Sequence, residues 1–321
     1  MIFRHVYDVV VDNVFLELGG FVQDADVYVK LEGLNPAGSI KLKTAVALID
    51  SVEATGALRP GTRLIESTSG NLGVALAVIC AARKYSLTLV TDPNTSRQAV
   101  RMMSSLGAEV VEVTGENSSQ GFLQARFDYV RSRIAVEPEL VWLNQHANAA
   151  NVEAHSSRTA RAIHDEFGHV DVLFVGAGTT GTLMGCVDYF SRHSPRTRIV
   201  GVDSVGSVTF GGPPSTRHIP GLGAARRPDI FVDDGSFEKV LIPETETVAM
   251  CHRLTRDYGL LAGGSTGTVL AAVDRISGSL PPRSRVVAIS PDLGEKYVDT
   301  VYSMAWVADK QLDALFTTSG Q

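Results

Sequence analysis

The sequence predicts an α/β protein with mostly parallel sheet, and three observations predict it. Short apolar segments of strand length alternate with longer runs of helical period along most of the chain. Turns rich in glycine and hydroxyl residues follow the apolar segments and open the helical runs, as where strand ends feed helices. The 321 residues, 44% apolar and 20% charged, exceed what one core usually needs and suit two packed domains with a deep, dry site.

In chain order, the amino-terminal stretch carries Asp8, Asp12 and Glu17 through its apolar residues, which argues against a signal peptide or a membrane span. The alternation Val27-Tyr28-Val29-Lys30-Leu31 predicts a strand. It is followed by the turn Asn35-Pro36-Ala37-Gly38-Ser39-Ile40-Lys41 and a helical run over 44–49. Further strands are predicted at 63–66, 86–91, 109–113, 141–143, 172–175, 198–203 and 285–289. Helices are predicted at 72–84, 95–106, 151–167, 183–193, 248–258 and 266–276. Residues 205–227 show no clear period, and so long a loop in a compact protein is expected to serve a site. The chain has no repeat, low-complexity tract or flexible linker.

A formal net charge of −6 and the lack of a basic stripe argue against nucleic acid as a partner, while local arginines leave room for small anions. Cys80, Cys186 and Cys251 are odd in number and far apart, without metal-ligand or redox spacing, and read as buried reduced thiols. No metal is expected, and the default location is the cytoplasm.

Four turns carry the chemistry. Lys41 starts a helix beside the positive end of the backbone dipole, where its ammonium is disfavoured and the nucleophilic amine of a Schiff-base lysine is easier to reach. Ser67-Thr68-Ser69-Gly70-Asn71 feeds an apolar helix, so free backbone N–H groups and the hydroxyls of Thr68 and Ser69 could hold a carboxylate, with the Asn71 amide offered to a ring oxygen. Gly176-Ala177-Gly178-Thr179-Thr180-Gly181-Thr182 suits a phosphate, because glycines permit close backbone approach and the helix start supplies donors. Gly263-Gly264-Ser265-Thr266-Gly267 and Pro291-Asp292-Leu293-Gly294 form two more polar turns, and in open α/β sheets such turns at strand ends can face one ligand. The spacing of Gly176, Gly178 and Gly181, with Asp203 ending the next strand, also satisfies a dinucleotide fingerprint, so a nicotinamide-dependent dehydrogenase competes. Taken singly, each turn could be an ordinary helix cap.

Together, the Lys41 turn, Ser67-Thr68-Ser69-Gly70-Asn71, the 178–182 turn and the 263–267 turn resemble the cysteine synthase branch of the fold-type II pyridoxal-phosphate enzymes, over nearly the whole chain. Asn144-Gln145-His146-Ala147-Asn148, Gly206-Ser207-Val208-Thr209-Phe210-Gly211 and Pro220-Gly221-Leu222-Gly223-Ala224 are most similar to the N-(2-amino-2-carboxyethyl)-L-glutamate synthases of 2,3-diaminopropionate biosynthesis, which serve siderophore and peptide-antibiotic pathways. The resemblance implies a tryptophan synthase β-like fold of two three-layer α/β/α domains. A small domain would span 41–145, and a large cofactor-binding domain would combine 1–40 with 146–321. It implies a homodimer and pyridoxal 5′-phosphate. Lys41 would hold the cofactor and act as base. Asn71 would meet the 3′ oxygen, Gly178, Thr179, Thr180, Gly181 and Thr182 the phosphate, and Ser265 the ring nitrogen. Thr68, Ser69, Gly70 and Gln145 would hold the substrate carboxylate. Arg126 and Arg226 are candidates for the glutamate carboxylate and substrate phosphate, and His146 for the second-substrate pocket. The implied reaction is β-replacement of O-phospho-L-serine by L-glutamate, with an O-phosphoserine or O-acetylserine sulfhydrylase as the alternative. The lysine motif departs from the resembled family in continuing Leu42-Lys43, where an acidic or small polar residue and arginine are usual.

Overall fold

The computed structural model describes residues 2–56, 58, 61–114 and 121–317. The chain divides into two compact units, one of Met1–Val10 with Leu34–Ala154 and the other of Val11–Gly33 with His155–Gln321.

The strands are β1 (Phe15–Glu17), β2 (Ala25–Leu31), β3 (Arg63–Ser67), β4 (Ser86–Thr91), β5 (Glu109–Glu112), β6 (Leu140–Trp142), β7 (Val172–Gly176), β8 (Arg198–Ser204), β9 (Glu238–Ile242) and β10 (Ser284–Ser290). The helices are α1 (Lys41–Ala54), α2 (Asn71–Arg83), α3 (Arg97–Ser105), α4 (Phe122–Val136), α5 (Ala150–Ala154), α6 (Arg161–Phe167), α7 (Gly181–His193), α8 (Glu244–Tyr258), α9 (Gly264–Arg275), α10 (Met304–Asp309) and α11 (Ala314–Thr317). The helix expected over 151–167 is therefore not one α-helix, because a π-helical segment, His155–Ala160, separates α5 from α6.

The first unit holds a four-stranded sheet in the order β5-β4-β3-β6, parallel throughout. Parallel strands need crossovers, and α2, α3 and α4 supply them. Its core joins Leu42, Leu48 and Ile49 of α1 to Leu72, Leu76 and Ile79 of α2 and to Leu64 and Leu89 of the sheet, all essentially shielded from solvent. The run Asn71-Leu72-Gly73-Val74-Ala75-Leu76-Ala77-Val78-Ile79-Cys80 has almost no polar face, so α2 packs as an internal helix, buried from Leu72 to Cys80.

The second unit holds a six-stranded sheet in the order β1-β2-β10-β7-β8-β9, parallel except for the β1–β2 pair. Helix α9 lies against β7, β8, β9 and β10 and is buried from Gly264 to Val273. Helices α2 and α9 thus occupy the same kind of place in their units, an apolar helix whose N-terminus follows a glycine-containing turn. Residues 205–237 carry no strand or helix, in keeping with the aperiodic stretch expected at 205–227.

Candidate active site

In each sheet the polar turns follow the carboxyl ends of parallel strands, where backbone N–H groups are not used by the ladder. In the first unit the turn before α1 is closed from its own sequence. Asn35 Oδ1 accepts the Ala37 N–H at 3.0 Å, Asn35 Nδ2 donates to Ser39 O at 2.9 Å, and Gly38 takes the left-handed conformation at φ +64°. This delivers Lys41 as the first residue of α1. Burial pulls the Lys41 amine down to about 8. The direction is the expected one, and desolvation is its cause.

After β3, the Thr68 hydroxyl oxygen is buried and accepts the N–H groups of Gly70 at 3.1 Å and Gly73 at 3.0 Å. It therefore shapes the turn from within. Gly70 has φ +143°, a backbone that side chains rarely adopt, and Ser69 beside it is exposed. Asn71 opens α2, whose N-cap residue, Gly70, has no side chain to cap it, so the Thr68 hydroxyl takes the Gly73 N–H instead. After β6, the buried Gln145 donates from Nε2 to Ser67 O at 3.1 Å, while Gln145 O accepts from Asn151 Nδ2 at 2.9 Å. These bonds tie the Gln145 loop to the Thr68 loop.

Beside these loops lies a group that the sequence did not single out. Glu66, next to last in β3, is fully buried, its Oε1 accepts the Ser67 N–H at 3.0 Å, and desolvation pushes its carboxyl up to about 8. Arg126, on α4, is 8% exposed, and its Nε sits 3.3 Å from Asp92 Oδ2 without hydrogen-bond alignment. Burial lowers the pKa of this guanidinium, and Asp92 and Glu66 oppose that shift. Arg126 Nε and Nη1, Ser67 Oγ and Thr95 Oγ1 are buried without a hydrogen-bond partner among the described residues, while the Trp142 side chain and the backbone of Asn144 and Gln145 help hold the Glu66 carboxylate. Buried donors are rarely left unpaired, so this cluster has the chemistry of a site for a polar ligand. His146 is half-buried, with its ring edge-on to Phe127 at 5.2 Å.

In the second unit, β7 runs into Gly176 and the chain reaches Thr180 at φ +67°, buried, with Oγ1 unpartnered among the described residues. Thr180 is the N-cap of α7 but makes no side-chain cap, so the first N–H groups of a 13-residue helix remain for an anion. A Cβ on Gly178 would stand 2.7 Å from Gly221 O, so only glycine permits this approach of the two turns. The cradle fits a phosphate: backbone donors, hydroxyls, a helix start and no room for side chains. Ser265, in the first turn of α9, is 4% exposed and lies beside Gly221, whose Cβ would meet Ser265 Cβ at 3.4 Å.

Two candidates stand elsewhere. Arg226 is exposed, its guanidinium paired with Asp229 at 3.0 Å. Asp203, the acid a dinucleotide reading needs, is fully buried; its Oδ1 accepts the Ser204 N–H at 2.7 Å, and burial pushes the carboxyl up to about 6 against hydrogen bonds from Ser207 and Ser204 and the charge of Arg217. An acid committed to the 205–227 segment in this way does not present itself to a ribose. Glu66 and Asp92 are not singled out by the sequence, because an acid at a strand end reads as solvent-facing and nothing local marks it otherwise; Asp203 reads as a ribose ligand, and packing buries it instead. Among the described residues no group of His, Cys, Asp or Glu gathers to hold a metal, and no helix is long and apolar enough to cross a membrane. The three cysteines are buried and none forms a disulfide.

The model of a family described as pyridoxal-phosphate dependent enzymes matches residues 15–292. An N-(2-amino-2-carboxyethyl)-L-glutamate synthase of Ralstonia nicotianae is 39% identical over 288 residues, covering 88% of this chain and 84% of the relative. A protein of the same name from Cupriavidus metallidurans is 38% identical over 289 residues, covering 89% and 85%. The crystal structure of an O-acetylserine dependent cystathionine beta-synthase from Helicobacter pylori superposes with a TM-score of 0.87 at 27% identity, covering 94% of this chain and all of that one.

Proposed function

This chain belongs to the pyridoxal-phosphate dependent enzymes, and on that premise we propose that it replaces the phosphate of O-phospho-L-serine by the amine of L-glutamate, giving N-(2-amino-2-carboxyethyl)-L-glutamate. The observation that carries the substrate pair is the identity of 39% and 38% to two synthases of that name over most of their lengths.

Pyridoxal phosphate, when bound, supplies an electron sink for the pair left at Cα. The rest is work for the protein's own side chains. Lys41, first in α1 and with its pKa held near 8 by burial, anchors the cofactor and, as a neutral amine, takes the Cα proton and later returns it. The open N-terminus of α7 with Gly178, Thr179, Thr180, Gly181 and Thr182 holds the cofactor phosphate, and Asn71 meets the 3′ oxygen. Ser265 offers the ring nitrogen a hydroxyl where a carboxylate would bring a full charge, which moderates the sink and favours loss of a Cβ substituent over transamination. The turn from Thr68 to Gly70, braced by Gln145, takes the substrate carboxylate. The leaving phosphate is assigned to Arg126, which is buried beside Asp92 with Nε and Nη1 making no hydrogen bond among the described residues, in preference to Arg226, which is exposed and hydrogen-bonded to Asp229. The Cβ–O bond breaks, phosphate leaves with that electron pair, and the glutamate nitrogen forms the new Cβ–N bond and sheds a proton.

The product is a precursor of 2,3-diaminopropionate, placing the enzyme in siderophore or peptide-antibiotic assembly, as a cytoplasmic homodimer. A second reading, a sulfhydrylase acting on O-phosphoserine or O-acetylserine, draws on the likeness to the O-acetylserine dependent enzyme. Incubation of the protein with O-phosphoserine and either glutamate or sulfide, with products identified by mass spectrometry, decides the matter. The glutamate adduct is expected. Product from sulfide alone overturns the acceptor assignment, and a colourless protein that takes up no pyridoxal phosphate overturns the cofactor's place at Lys41.

A further inference from the structure

The 205–227 segment does more than connect β8 to β9. Its 220–224 turn is applied directly to the two cofactor turns of its own unit: Gly223 N donates to Ala177 O at 2.9 Å, Gly221 O fills the space a Cβ on Gly178 would take, and Gly221 lies against Ser265. Gly221 and Gly223 have φ +110° and +78°, so the turn has a shape that other residues resist and that something must hold.

The holding group is Arg217. Its Nη1 donates to Gly206 O at 3.1 Å and to Ala224 O at 3.3 Å, so one guanidinium links the first and last parts of the segment. The same guanidinium lies across Gly223, where a Cβ would meet Nη1 at 2.7 Å and Cζ at 2.9 Å. The carboxylates of Asp203 and Glu244 both act on its charge. Glu244 in turn accepts the N–H groups of His218 at 2.9 Å and Ile219 at 2.7 Å, directly after Arg217. We propose that Arg217 is a positioning residue that clamps the 220–224 turn onto the phosphate-binding turn and the Ser265 helix start, and thereby sets how tightly the cofactor phosphate is held. The inference rests on the reading that residues 178–182 receive that phosphate.

Lysine replaces the clamp only in part, because an ammonium can donate to the two carbonyls but has no flat guanidinium to lay across Gly223. The test is pyridoxal phosphate titration of the apo protein, followed by 31P NMR and visible absorption of the reconstituted wild type, Arg217→Gln and Arg217→Lys, with Arg275→Ala as a surface control. Losing two charge-assisted bonds should raise the cofactor Kd about tenfold in R217Q, less in R217K, and move both the 31P resonance and the visible band. A wild-type Kd and spectrum in R217Q overturns the proposal. So does a weaker Kd with an unmoved 31P resonance, which means general destabilisation. Should R217Q fail to fold, Gly223→Ala displaces the same guanidinium and is expected to show the same paired shifts, with unshifted signals again overturning the idea. If the wild type itself takes up no cofactor, it is the functional reading that fails, and the two failures are told apart.

Discussion

The base proposed at Lys41 needs its proton held loosely near neutrality, and burial at the start of α1 lowers the amine's pKa. With the amine pulled down to about 8, its neutral fraction rises about tenfold per pH unit below that value and saturates above it. The kcat for β-replacement should therefore climb from mildly acidic pH to about 8 and then level off. Stopped-flow rates across the pH range check this, and a rate that keeps climbing well beyond 9, roughly as a solvated lysine would require, refutes the assignment. The same shift carries a stability sign: the folded state holds fewer protons than the unfolded chain between about 8 and the ordinary lysine value, so this group's contribution to stability rises with pH in that window. Lys41→Ala should lower turnover by about 10²–10⁴-fold and abolish the visible band, checked by steady-state rates and absorption.

At the scale of elements, function depends on what the helix starts leave open. Helices α7 and α9 begin without a side-chain cap, although threonine or serine stands at or near each start, whereas α2 has its third N–H taken by the Thr68 hydroxyl. Capping residues are usually worth about 1 kcal/mol, so withholding them leaves backbone donors for a ligand at a small cost in stability. The turn before α7 also depends on close packing. Gly178→Ala would set a methyl 2.7 Å from a backbone carbonyl, which cannot swing aside as a side chain can. Overpacking of this kind costs about 1–3 kcal/mol, so cofactor retention after dialysis should drop about tenfold or more, checked by absorbance; full retention would show that the two turns move apart freely.

At the scale of the whole molecule, each unit has a hydrophobic core of its own, Leu42, Leu64 and Leu76 in one and Val172, Val202 and Leu270 in the other. A chain with two independent cores need not melt as one cooperative body. Calorimetry of the apo protein is expected to give a calorimetric enthalpy larger than the van't Hoff value, and saturating cofactor to raise the midpoint by mass action. A single transition with equal enthalpies in the apo protein would count against independent cores.

The α/β class, the strands and helices around the glycine- and hydroxyl-rich turns, and the places of the turns themselves were legible along the chain, because each depends on local period, glycine and hydroxyl placement within a few residues. Strand β4 falls at 86–91, where the pattern puts it, and α9 begins two residues before its predicted start. The π-helical stretch at His155 was not legible, since its residues keep a helical period while the backbone hydrogen bonding changes. Nor was the separation of the two arginines: Arg126 and Arg226 are equal as letters, and only packing gives one a buried place beside Glu66 and Asp92 and the other a surface partner. The clamp at Arg217 belongs to the same class. Sequence determines which chemistry is available and roughly on which element, because propensity and pattern act over neighbours. Tertiary structure decides which charged groups lose their water, because desolvation is a sum over atoms brought from distant parts of the chain, and it is desolvation that pushes Glu66 to about 8, Asp203 to about 6 and Lys41 to about 8.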